Sequence, residues 1–133
     1  MEAVLVDTDV FSFFFKGDTR RRAYEPAIAN RRLCLALQTY GELRLWGIQR
    51  RWNNARIDRL LQVLRHYVII PYDTDLADCW ARITAHRRDL GRPISCGDAW
   101  IAAAALRFCI PLITHNGDHY SDIPDLRVVC HAR

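Results

Sequence analysis

Short apolar runs alternate with longer stretches of helical periodicity along the whole chain. Ala3-Val4-Leu5-Val6 is uninterrupted and stops at Asp7, which fits a parallel strand buried on both faces. Arg32–Leu37, Tyr67–Ile70, Ile110–Thr114 and Leu126–Cys130 read as further extended runs. Asp7-Thr8-Asp9 begins a turn into Val10–Phe15. Asp18 or Thr19 is placed to cap a helix from Arg20 to about Asn30. A helix is predicted from Thr39 to about Trp52. Ile57, Leu60, Leu61 and Leu64 recur at helical spacing up to Arg65. Asp75 to about Leu90 is helical, with Leu76, Trp80 and Ile83 on one side. An alanine-rich helix starts at Ser95 or Gly97 and runs through Phe108, and His115–Ile123 reads as a loop. Strands alternating with helices predict a parallel α/β sheet of four to five strands, covered on both faces. No repeat, low-complexity segment or linker divides the 133 residues, which read as one domain over 1–133.

Composition narrows the class. Half the residues are hydrophobic and 26% are charged, which is globular and not disordered. No apolar run approaches the roughly 20 residues a membrane span needs. Met1-Glu2-Ala3-Val4 carries no basic leader segment, so the expected location is the cytoplasm. The five cysteines are odd in number and form no CxxC pair, which points to free thiols in a reducing compartment. The formal charge is +4, and all basic residues except Lys16 are arginine. Clusters such as Arg20–Arg22 and Arg50-Arg51 suit phosphate, yet solvated helix faces explain them equally well. Neither a phosphate-binding loop nor a dinucleotide glycine motif is present, which argues against nucleotide binding.

The acids carry the chemistry. Asp7 follows four apolar residues and so sits at the rim of the core, with Asp9 two positions on. Either alone also reads as a turn former or helix cap. Glu42 lies in Thr39-Tyr40-Gly41-Glu42, the spacing of a capping box, which is a complete structural explanation. Asp98 lies in Ser95-Cys96-Gly97-Asp98 and shares a helix face with Ile101, Ala102 and Ala105. Thr114-His115-Asn116-Gly117-Asp118-His119-Tyr120 follows another apolar run and reads as a loop rich in turn formers. In a parallel sheet, strand ends converge on one rim. Carboxylates gathered there repel one another unless a cation neutralises them. Hard oxygen ligands suit Mg²⁺ or Mn²⁺, and such ions activate water and clamp a phosphodiester.

In order along the chain, Val4-Leu5-Val6-Asp7-Thr8-Asp9, Gly41-Glu42-Leu43, Gly97-Asp98-Ala99-Trp100-Ile101-Ala102 and Leu112-Ile113-Thr114-His115-Asn116 resemble the PIN domains, especially the VapC toxins. The resemblance implies a PIN-like three-layer α/β/α sandwich and Mg²⁺- or Mn²⁺-dependent cleavage of RNA, such as tRNA or rRNA, to a 5′-phosphate and a 3′-hydroxyl. It further implies a homodimer neutralised by a VapB-type antitoxin. Asp7, Glu42 and Asp98 become metal-binding acids, with Asp9 contacting a metal through water and Thr114 fixing its loop. Family members often place a fourth acid five positions after the Thr, and His119 stands there; Asp118 or Asn116 is left to complete the site. His119 also keeps open a non-catalytic scaffold, and a role in RNA processing outside a toxin pair remains an alternative. Trp80 and Trp100 read as packing residues or base-stackers. Phe11, Phe13, Phe14 and Phe15 read as core or as a partner groove.

Overall fold

Alternation along β1 (Ala3–Val6) sorts the helices into layers. Val4 and Val6 point to one face of the sheet and Leu5 to the other. The computed structural model describes residues 1–132. It holds five strands, β1, β2 (Arg32–Ala36), β3 (Val68–Ile70), β4 (Leu112–Ile113) and β5 (Val128–Val129), in the spatial order β3-β2-β1-β4-β5, all parallel. Helices α1 (Thr8–Lys16), α3 (Leu37–Gln49) and α4 (Asn54–Leu64) cover the Val4 and Val6 face. Helices α5 (Thr74–Asp89) and α6 (Cys96–Arg107) cover the Leu5 face. This is the three-layer α/β/α sandwich expected, with five strands.

Strand order reverses at β1: the chain leaves it toward β2 and later returns on its other side as β4. The crevice beyond the carboxyl ends of β1 and β4 is therefore the switch point, where ligands of open α/β sheets bind. Asp7 follows β1 and Thr114 follows β4.

Three expectations need correction. The helix from Arg20 to Asn30 is instead a short 3-10 turn (Thr19–Ala23), capped by Asp18, and a single-turn α2 (Glu25–Ile28). Pro26 explains the break, because it has no N–H to bond the preceding turn and fits only at a helix start. The loop of 115–123 contains a 3-10 turn, Gly117–Tyr120. Helix α3 begins at Leu37, two residues before Thr39, with Ala36 as a cap that makes no side-chain bond. Phe11, Phe13 and Phe15 lie in the core, and Gly17, at φ 68, ends α1 in the left-handed conformation that glycine adopts freely. Trp80 and Trp100 stack on each other at 5.0 Å.

Arg87, near the end of α5, is buried and has no carboxylate partner among the described residues. Its guanidinium donates to the carbonyls of Arg92 (2.7 Å), His119 (3.0 Å) and Ser121 (3.1 Å), tying α5 to the turn after β4. Truncation strands three carbonyls, so Arg87→Ala should cost about 3 kcal/mol in urea unfolding. Arg87→Lys should recover less than half, because one ammonium cannot span the fork's separate acceptors. A loss within measurement error would show that the tie is not structural.

Candidate active site

The site is built by four segments that end or begin at the switch point. Asp7 is the N-cap of α1, with φ −71 and ψ 160. Its Oδ1 accepts the N–H of Thr8 at 2.7 Å, so the residue that ends the strand also starts the helix. Its Oδ2 accepts the Thr114 hydroxyl at 2.7 Å, a contact across 107 residues. The hydroxyl of Tyr120 lies 3.1 Å from the same Oδ2. Thr114 in turn accepts the N–H of Asn116 at 3.1 Å. The Thr114 side chain thus links the start of the loop after β4 to Asp7.

Glu42 enters from α3. The Thr8 hydroxyl is 2.9 Å from both Glu42 Oε1 and the Thr39 hydroxyl. Thr8 has one proton to give, so it donates to the carboxylate and accepts from Thr39. The capping-box reading of Thr39 and Glu42 is thereby overturned: both lie inside the helix, Thr39 is fully buried, and their side chains serve the site. Asp98 enters from the first turn of α6, where the Ser95 hydroxyl accepts its N–H at 3.2 Å as the cap. The Tyr120 hydroxyl is 3.2 Å from Asp98 Oδ1, and His119 Nδ1 is 3.2 Å from Asp98 Oδ2.

Asp9 forms the outer bank. It accepts the N–H of Val10 at 2.7 Å, the N–H of His115 at 3.0 Å and the Asn116 side-chain amide at 2.9 Å. Asn116 thus reaches Asp9. Asp118 is exposed and lines a shallow cavity with Asp98 and His119. The imidazole of His119, and not the Asp118 carboxylate, rests against Asp98.

The electrostatics follow from burial. Asp7 is pushed up to about 6, first by desolvation and then by the charge of Asp9, against the pull of Thr114, Thr8 and Tyr120. Asp9 is raised by burial, against its backbone hydrogen bonds, with Asp98 adding repulsion. Glu42 is raised by burial, against its bond from Thr8, with Asp7 and Asp98 adding repulsion. The Tyr120 hydroxyl is pushed far up by burial and by Asp7 and Asp98, so it stays protonated. Four acids therefore sit within one another's fields, three of them at the N-termini of α1 and α6, where the helix dipoles favour negative charge, and Glu42 inside α3.

A divalent cation fits this donor set. The donors are hard carboxylate oxygens, and their mutual repulsion is what a cation relieves. Among the described residues, no three or more His, Cys, Asp or Glu side chains stand close enough together to hold a metal ion as they are placed. Mg²⁺ keeps several waters and makes few protein contacts, so the acids would draw in around an ion.

Sequence reasoning missed the hydroxyls of Thr8 and Tyr120. The signal for Thr8 was its place directly after Asp7. Tyr120 gave none, because an aromatic residue in a loop reads as packing.

The chain has relatives in sequence and in fold. Ribonuclease VapC5 of Mycobacterium tuberculosis is 31% identical over 118 residues, covering 87% of this chain and 84% of that protein. Ribonuclease VapC4 of the same organism is 28% identical over 94% of both chains. Among solved structures, a VapBC toxin–antitoxin system, VapBC-5 of M. tuberculosis, superposes with a TM-score of 0.75 at 26% identity, over 98% of this chain and 100% of that one. VapBC-1 from nontypeable Haemophilus influenzae superposes at 0.82 with 23% identity, over 96% and 97%. No helix among the described residues is long and apolar enough to cross a membrane. The PIN domain profile matches residues 4–126, nearly the whole chain, and with the fold and the acid cluster in agreement the chain belongs to the PIN domain family.

Proposed function

We propose that this chain is a divalent-metal-dependent endoribonuclease acting as a VapC-type toxin. The observation that carries the reading is the meeting of Asp7, Glu42 and Asp98 at one switch point, where the Thr8 N–H bonds Asp7, the Thr8 hydroxyl bonds Glu42, and the Tyr120 hydroxyl lies between Asp7 and Asp98. The relatives named ribonuclease VapC support RNA as the substrate, with tRNA or rRNA the first classes to test. The VapBC structures support a VapB-type antitoxin as the partner, and the cytoplasm is the compartment that holds both RNA and antitoxin. A homodimer is part of the same reading.

Asp7, Glu42 and Asp98 would hold Mg²⁺ or Mn²⁺, with Asp9 behind a water and Asp118 or Asn116 at the rim. When bound, the ion supplies Lewis acidity and lowers the pKa of water. The chain's own residues do the rest. Thr114 and Thr8 fix both oxygens of Asp7, so it cannot rotate away. A carboxylate not engaged with the metal takes the proton from the attacking water.

Cleavage of total tRNA and rRNA by purified protein, with Mg²⁺ or Mn²⁺ against EDTA, tests the reading directly. Metal-dependent cutting is expected, and Asp98→Asn should lower it by more than the roughly 10–100-fold that outer-shell changes cost. Folded, antitoxin-free protein that cuts nothing under any condition would favour a non-catalytic scaffold instead.

The raised pKa of Asp7 makes a second prediction. Its folded value, about 6, lies above its unfolded value near 3.8, so ionisation opposes folding. In EDTA the protein should lose about 3 kcal/mol from this group as pH rises through that window, at 1.36 kcal/mol per unit. Asp7→Asn should flatten the slope and raise the unfolding midpoint at pH 7 while abolishing cleavage. A slope unchanged in the variant would remove Asp7 as its cause.

A further inference from the structure

Tyr120 takes no chemical step in the proposed reaction, yet its hydroxyl touches both the acid that follows β1 and the acid that opens α6. The ring is buried against the alanine-rich face of α6, in the cluster holding Ala99, Ala102 and Ala103. Small residues there leave room for a six-membered ring, and the ring's length carries the hydroxyl to the meeting point of β1 and α6. Its oxygen lies 3.1 Å from Asp7 Oδ2 and 3.2 Å from Asp98 Oδ1.

We propose that Tyr120 is a positioning residue, a spacer whose hydroxyl holds the Asp7 and Asp98 carboxylates one oxygen apart and so sets the gap that receives the divalent cation. This rests on the metal-dependent reading above and assigns to it the residue that shapes the aperture. A phenol has one proton, and both neighbours are acceptors when ionised. It can satisfy one carboxylate at a time, while its lone pairs face the other. Asp7 Oδ2 already accepts from Thr114, whereas Asp98 stands at a helix start, part-exposed, and is held otherwise by His119. The spacer therefore restrains Asp98 most, the acid with the greatest freedom to turn away. A cation in the gap relieves the repulsion that the shared proton leaves uncompensated. Without the hydroxyl, the two carboxylates drift apart by repulsion, and the ion must gather them at its own cost.

The test is Mn²⁺ binding, followed by the electron paramagnetic resonance signal of free aqueous Mn²⁺, in wild type, Tyr120→Phe and Tyr67→Phe. The ring is kept in both variants, and Tyr67 is a mostly buried tyrosine with its ring against Phe11, away from the acids. Thermal unfolding in EDTA runs alongside. Tyr120→Phe should weaken Mn²⁺ binding about 10–100-fold, the range found when a metal ligand loses its outer partner, with the unfolding midpoint held and Tyr67→Phe binding normally. Affinity within about twofold of wild type would overturn the spacer while leaving the metal reading intact. Equal weakening in both variants would overturn it too, since general loosening then explains the loss. Wild-type protein that binds no Mn²⁺ would overturn the metal reading and the spacer with it.

Discussion

The Asp7 carboxylate is held at a joint where three elements meet, and the site's order depends on it. One oxygen starts α1 through the Thr8 N–H, and the other fastens β1 to the loop after β4 through Thr114. Both bonds are made to a group that burial and Asp9 make unwilling to ionise. The protein thus places a destabilised charge where the chain crosses itself, and the surrounding hydroxyls restrain it. Local unfavourability of this kind marks sites kept for chemistry, since a stability-driven core would put an apolar side chain there.

Much of the fold was legible because its signals are local. Ala3–Val6 is a continuous apolar run, and the 112–113 and 128–129 segments lie inside the runs read as strands. What was missed had competing local explanations. Pro26 divides a segment that reads as one helix from its candidate cap at Asp18 or Thr19. Thr39 and Glu42 match a capping box in spacing, but the helix starts earlier, at Leu37, and tertiary contact with Thr8 claims both side chains. A motif defined by spacing gives the relation between two residues and not their register against the helix end.

The acids themselves were legible as a set, from their placement at strand ends and helix starts. The hydroxyls that organise them were not, since Thr8 and Tyr120 acquire meaning only when residues more than thirty positions away arrive beside them. His119 is the instructive intermediate case. Its position identifies it as a departure from the family pattern, while its contact with Asp98 shows that the departure occupies the site and is not displaced from it.

The clamp between Asp7 and Thr114 also fixes when the site comes into being. Asp7, Glu42 and Asp98 are all synthesised before Thr114 and Tyr120, the residues that lock them. Chains emerge from the ribosome N-terminus first, and a contact spanning 107 residues must await nearly the entire polypeptide. A nascent chain therefore displays its acids unassembled for most of its synthesis.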